Sequence, residues 1–222
     1  MKEAKTIAIC NQKGGVAKTN VTVNLGIGLA NQGKKVLTLD TDPQGDLTTS
    51  LGWRDTEKLD ITMATLMKET ILNEPIHTRE GILHHPEGID LIPADLELSA
   101  MEMTLVTAMS REYVLKRIVQ DLKKDYDYIL IDTMPSLGMI TINALAAADS
   151  VIIPVQAHYL PTKGMTQLIK TIGKVQRQIN SALAIEGVIL TMADVRTNMT
   201  KTVAETIREQ YGSVLRIYRN VI

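Results

Sequence analysis

At 222 residues the chain has the length of one large domain or at most two small ones, and it needs no disulfide or metal staple to build a core. Its 45% apolar and 22% charged composition excludes a largely disordered, collagen-like or coiled-coil chain. A net charge of −1 excludes a globally basic nucleic-acid coat protein, although it leaves room for a local basic patch.

Aromatic residues make up only 3% of the chain, with no Phe, so the core must be aliphatic and drawn from Ile, Leu, Val, Ala and the 11 Met. The lone Cys10 cannot form an intrachain disulfide, a zinc site or a cluster by itself. The apolar stretch near the N-terminus is too short for a signal-peptide core, and no run approaches the ~18 apolar residues of a membrane span. These features predict a cytoplasmic protein with no membrane span. From position 191 onward five basic residues (Arg196, Lys201, Arg208, Arg216, Arg219) face three acidic ones (Asp194, Glu205, Glu209), a mild basic tilt.

Apolar runs of strand length alternate with segments of helical period. In chain order, strands are expected at Thr6–Cys10, Val36–Asp40, Ile89–Pro93, Tyr128–Asp132, Val151–Val155, Ala184–Thr191 and Val214–Ile217. Helices are expected at Asn20–Asn31, Leu96–Met109, Glu112–Lys123, Thr141–Ala148, Thr162–Ile179 and Thr197–Tyr211. Nearly unbroken apolar strands between helices imply a parallel sheet covered on both faces, in one α/β domain spanning 1–222. The stretch Asp46–Glu87, with Pro75, Pro86 and three His, reads as a peripheral insertion of helix and loops. Met63 and Met67, four apart beside Leu66, read as the inward face of a short helix. His84 and His85 read as surface-loop residues, and Trp53 carries no assignment.

The first strand runs into NQKGGVAKT (11–19) and then directly into a helix. Glycines let backbone N–H groups converge on an anion, and a helix N-terminus adds free donors and a favourable dipole. Lys18 can supply charge to the β- and γ-phosphates, and the Thr19 hydroxyl can ligate Mg²⁺. The strict pattern G-x-x-x-x-G-K-[ST] fails at Gln12 and Ala17, so the loop alone does not settle nucleotide binding. Two carboxylate sites add to it. LDTDPQGD (39–46) places Asp40 and Asp42 at the carboxyl end of the second strand, and YDYILIDTMPSLG (126–138) places Asp132 after another apolar run. Carboxyl ends of strands line the ligand crevice of an open parallel sheet, where a Mg²⁺ shell needs negative charge.

On these residues the sequence resembles the deviant-Walker-A ATPases, and within them the ParA-type DNA partition ATPases. NQKGGVAKT resembles the family's signature loop, DTDPQGD its first switch and DYILIDTMPSLG its second. TINALAAADSVIIPVQ (141–156), EGVILTMADVRTNM (186–199) and RNV (219–221) extend the match along the chain. The resemblance implies a three-layer α/β/α P-loop NTPase fold with a mostly parallel central sheet. It also implies an ATPase using ATP and Mg²⁺.

By that resemblance, Lys13 is the signature lysine that reaches the partner subunit's phosphates in an ATP-sandwich homodimer. Gly14, Gly15, Val16, Ala17, Lys18, Thr19 and Asn20 form the phosphate loop, with Thr19 on Mg²⁺. Asp42 orients or activates the attacking water, while Asp40 and Asp132 act in the magnesium shell through water. Met192, Asp194 and Asn220 lie near the adenine, and Arg196 contributes to ATP-dependent, non-specific DNA binding. The implied partners are non-specific DNA, giving a nucleoid-associated protein, and a ParB-like centromere-binding protein that stimulates slow hydrolysis.

The chain departs from the family pattern at several points. Ala17 replaces a glycine, and at φ > 0 its Cβ costs roughly 1 kcal/mol or more. Asn20 stands where a second Thr is common, HYLPTKGM (158–165) carries Pro161 and Lys163, and Tyr218 stands where Pro is usual. Ile222 occupies a position where a second DNA-contacting Arg is often found, and the family's closing helix is expected to be absent. The alternative output is a MinD-like positioning ATPase acting at a membrane or on a protein partner. A nitrogenase-iron-protein-like role lacks the cysteines for a cluster.

Overall fold

The computed structural model describes residues 3–157, 162–193, 196 and 198–222. Among these residues eight strands form one sheet in the order β3-β4-β2-β5-β1-β6-β7-β8. They are β1 (Lys5–Ile9), β2 (Val36–Thr41), β3 (Leu83–His84), β4 (Ile89–Ile92), β5 (Tyr128–Thr133), β6 (Ser150–Gln156), β7 (Ala184–Thr191) and β8 (Ile217–Val221). Every pairing is parallel except β3 against β4. β1 lies between β5 and β6, so the first βα turn opens where the chain's crossovers diverge, the place where parallel sheets bind ligands.

Among the described residues eight α-helices cover the sheet: α1 (Lys18–Ala30), α2 (Asp46–Ser50), α3 (Met63–Leu72), α4 (Leu98–Thr107), α5 (Val114–Leu122), α6 (Met139–Ala147), α7 (Thr162–Gln178) and α8 (Asn198–Tyr211). Two aliphatic clusters make the layers. One joins Val21 of α1 and Leu47 of α2 to Ile7, Ile9, Leu91 and Leu130. The other packs α3 to α8 against Leu37, Leu39, Ile131 and Val188. Strands β2 and β5 are buried along nearly their whole length, which explains their unbroken apolar reading.

Two expectations need correction. The Asp46–Glu87 stretch is peripheral only in part: its loops are largely exposed and β3 is an edge strand, but α3 is not peripheral. Thr62 and Thr65 form a reciprocal cap that starts α3, and Met63, Leu66 and Met67 are completely buried on the sheet. Each such side chain contributes about 1.5–3 kcal/mol on burial. The last strand is also displaced. Val214 sits in an exposed turn whose amide, like that of Leu215, donates to Tyr211 as α8 ends, and β8 begins only at Ile217. Arg219 and Asn220 therefore lie within the strand. At position 218, the Tyr ring covers Gly187, where a Cβ would stand 2.8 Å from it.

Among the described residues no helix is long and apolar enough to cross a membrane.

Candidate functional site

The loop between β1 and α1 owes its shape to two left-handed residues, Gly15 (φ 68°) and Ala17 (φ 63°, ψ 33°). Ala17 is the N-cap of α1 and offers no side-chain cap, so no side chain of the cap residue competes for the first amides of the helix. The conditional strain in the sequence thus applies: Ala17 holds a conformation that favours glycine. Val16 is buried and its carbonyl accepts the Thr191 hydroxyl at 3.0 Å, tying the loop to the end of β7.

Lys18 opens α1 and is 7% exposed, with its ammonium 3.5 Å from the Lys13 carbonyl oxygen. Burial lowers its pKa, and the charges of Asp132 and Asp42 oppose that shift. Thr19 donates its hydroxyl to Asp132 Oδ2 at 2.7 Å, which leaves its oxygen lone pairs for another ligand. The Thr22 hydroxyl, one turn along α1, lies 3.1 Å from the Lys18 carbonyl and 3.3 Å from the other oxygen of Asp132, sharing its one proton between them. Asn20 is exposed, and its carbonyl accepts the Asn24 side-chain amide.

Asp40 and Asp132 are register partners across β2 and β5. Burial raises the Asp132 carboxyl to about 7, with the charge of Asp40 the next cause. Burial likewise raises Asp40 to about 6, against the pull of its hydrogen bonds to Thr48. Both oxygens of Asp40 are engaged: Oδ1 accepts the Asp42 amide at 3.1 Å, and Oδ2 accepts the Thr48 amide at 2.9 Å and hydroxyl at 2.7 Å. The Thr48 oxygen in turn accepts the Ala94 amide. Asp40 therefore braces the loop that carries Asp42, whose own carboxylate accepts the Gln44 amide at 3.0 Å and stays partly exposed.

One hydroxyl and three carboxylates around a lysine are hard oxygen donors of the kind Mg²⁺ takes. Among the described residues no group of three or more His, Cys, Asp and Glu could hold a metal alone.

Lys13 is exposed at the rim beside Gly14, and its ammonium donates to Gln156 Oε1 at 2.9 Å. Met192, after β7, is left-handed (φ 52°) and 45% exposed. Asn220 is exposed in β8, and Arg196 is exposed in a turn before α8. Asp194, and residues 158–161 of the divergent segment, lie outside the described residues.

Four participants escape a reading by motif. Asn11 donates to the Pro154 carbonyl at 2.7 Å and accepts the Lys13 amide, anchoring the loop to β6. Thr48 braces the Asp42 loop, and Gln156 meets Lys13. Glu102 of α4 accepts the amides of Met139 and Ile140 and so caps α6, just beyond the loop that follows Asp132. A Cβ at Gly138 would stand 2.6 Å from Glu102 Oε1, so a side chain there would push the carboxylate off its cap. Asn11 and Gln156 lie inside the motifs NQKGGVAKT and TINALAAADSVIIPVQ, but nothing in either motif signals what these two side chains meet.

Comparison with known proteins decides the family. The model of an AAA domain matches residues 4–185. The sporulation initiation inhibitor protein Soj of Bacillus subtilis is 45% identical over 221 residues, 98% of this chain and 83% of that protein. The chromosome partitioning protein ParA of Caulobacter vibrioides is 38% identical over 220 residues, 98% of this chain and 80% of that protein. The chain belongs to the ParA/Soj family of P-loop ATPases.

The fold agrees with that membership. A cobyrinic acid a,c-diamide synthase from Mycobacterium smegmatis, solved with a bound ATP analog and magnesium, superposes with a TM-score of 0.91. It is 37% identical, and the match covers 99% of this chain and 86% of that one. This member of the ParA/Soj family is thus an α/β P-loop NTPase with a mostly parallel sheet.

Proposed function

We propose that the chain is a nucleotide-switched partition ATPase that dimerises around ATP, binds DNA without sequence preference in that state and is released on hydrolysis. The observation that carries the reading is the meeting of Lys18, Thr19, Asp132 and Asp42 at the carboxyl ends of β1, β2 and β5.

In this reading the loop amides of Gly14 to Asn20 and the α1 N-terminus receive the phosphates, with Lys18 on the β- and γ-groups. The Thr19 hydroxyl ligates Mg²⁺, with Asp40 and Asp132 in its outer shell. Bound Mg²⁺ supplies neutralisation of the charge that develops on the phosphoryl oxygens. Asp42 orients the attacking water, and Asp40 keeps Asp42 in place through the hydrogen bonds of its loop. Lys13 acts on the nucleotide of the partner subunit, as an arginine finger acts in trans, which couples hydrolysis to dimerisation. Met192, Asp194 and Asn220 border the adenine.

Arg196 contributes to the DNA surface of the dimer, and a ParB-like centromere-binding protein stimulates slow turnover. The relatives' names, Soj and ParA, support the partition role. Such a protein is cytoplasmic and associates with the nucleoid while ATP is bound.

The test is sedimentation and ATP turnover in wild type and Asp42→Ala. The reading expects an ATP-dependent dimer in both and turnover only in wild type. Turnover retained in Asp42→Ala, or no dimer with ATP in either, would contradict it.

A further inference from the structure

Gln156 ends β6 beside the phosphate loop, half-buried, and its amide makes three contacts with two separate segments. Oε1 accepts the Lys13 ammonium at 2.9 Å, while Nε2 donates to the Gly15 carbonyl at 3.1 Å and stands 3.0 Å from Met192 Sδ. The orientation of the amide is fixed chemically, since an ammonium cannot accept a hydrogen bond and a carbonyl cannot donate one. Around it, Asn11 holds the same loop to the Pro154 carbonyl, and Thr191 holds the Val16 carbonyl. The loop is thus anchored from β6 and β7, and Gln156 is the one residue among these that also holds a charged group.

We propose that Gln156 is a positioning residue that holds the Lys13 side chain on its own subunit before nucleotide-driven dimerisation, and links that hold to Met192 on the far side of the loop. The proposal rests on the trans role of Lys13 given above. In the undimerised chain the ammonium is directed at a neutral amide at the rim, away from the pocket where Lys18 and the carboxylates meet. To reach across an interface it must leave Gln156, so the strength of this contact sets part of the cost of closing the dimer. The contact is neutral on one side, hence weak enough to exchange. A carboxylate at 156 would hold Lys13 by charge and would forfeit both donor contacts.

The experiment follows acylation of Lys13 by an amine-reactive acetylating reagent in nucleotide-free protein, quantified on the Lys13 peptide, beside ATP-dependent dimerisation by sedimentation. Gln156→Leu should acylate about fivefold faster, as loss of one hydrogen bond of ~1 kcal/mol implies, and dimerise at lower protein concentration. Gln156→Glu should acylate more slowly and dimerise only at higher concentration, and added salt should relieve both effects. Thermal unfolding checks that both variants fold; if Gln156→Leu does not, the slowed acylation of Gln156→Glu decides. Equal Lys13 reactivity in all three proteins overturns the proposal. If wild type dimerises with ATP and Lys13→Ala does not, the trans role stands even when the Gln156 variants behave as wild type, and the positioning role alone falls. A wild-type chain that stays monomeric with ATP overturns both.

Discussion

Asp40 and Asp132 face each other across β2 and β5, both almost fully buried, yet each is served by a different threonine. Thr48 meets Asp40, and Thr19 meets Asp132. Two carboxylates in a dry site are tolerable when a cation or a proton sits with them, and Lys18 is the nearby fixed cation.

This arrangement gives the metal-free, nucleotide-free protein a definite pH dependence. The two carboxyls are raised to about 6 and about 7, against 3.8 for an ordinary Asp. The folded state therefore holds protons that the unfolded chain has released, and stability present at low pH is lost as pH rises from about 4 through about 7. The expected loss is on the order of a few kcal/mol. Urea unfolding between pH 5 and 8 should show it, and Asp132→Asn should flatten the profile; a stability that rises across this window would be the wrong sign.

Ala17→Gly should stabilise the protein by about 1 kcal/mol, because glycine adopts φ 63° without the Cβ clash that alanine carries. Nucleotide affinity should rise or stay level. Unfolding and ATP titrations of the variant check both, and a loss of stability would mean that the loop has adapted to the methyl group.

Thr48→Val keeps the shape of the side chain and removes its hydroxyl. Asp40 loses a 2.7 Å bond and the Ala94 amide loses its acceptor, at a cost of about 1–3 kcal/mol. Because the loss loosens the loop of Asp42, turnover should fall more than ATP affinity. Trp53, the single tryptophan of the chain, donates its amide to the Thr48 carbonyl and reports on this loop by fluorescence.

Gly138→Ala should be destabilising because its Cβ meets Glu102. Glu102→Ala alone should cost about 1–2 kcal/mol through loss of the α6 cap. The double variant should lose less than the two single losses together, since each removes the other's partner. Strict additivity in urea unfolding would show that the two residues act independently.

The legible parts of the molecule were those written in local pattern. β7 falls at Ala184–Thr191 as read, and β2 and β5 each run one residue further, to Thr41 and Thr133, because buried strands are continuous apolar runs. The meeting of Lys18, Thr19 and the aspartates followed from strand ends and a glycine turn. α3 was legible as a helix face through Met63 and Met67 but not in its place, since prolines and histidines around it suggested surface. β8 was misplaced because an edge strand with a broken ladder to β7 carries no strong pattern. Asn11 and Gln156 were illegible as partners: the contacts Asn11–Pro154 and Lys13–Gln156 each bridge 143 residues, and a polar residue at a strand end carries no sign of what it will meet.

Under the proposed function, ATP switches DNA binding through this site. Its most direct test is binding to random-sequence duplex DNA with ATP, ADP or no nucleotide, in wild type, Lys18→Ala and Asp42→Ala. Binding should be salt-sensitive and seen with ATP only, lost in Lys18→Ala and prolonged in Asp42→Ala. Binding indifferent to nucleotide, or unchanged in Lys18→Ala, would contradict it.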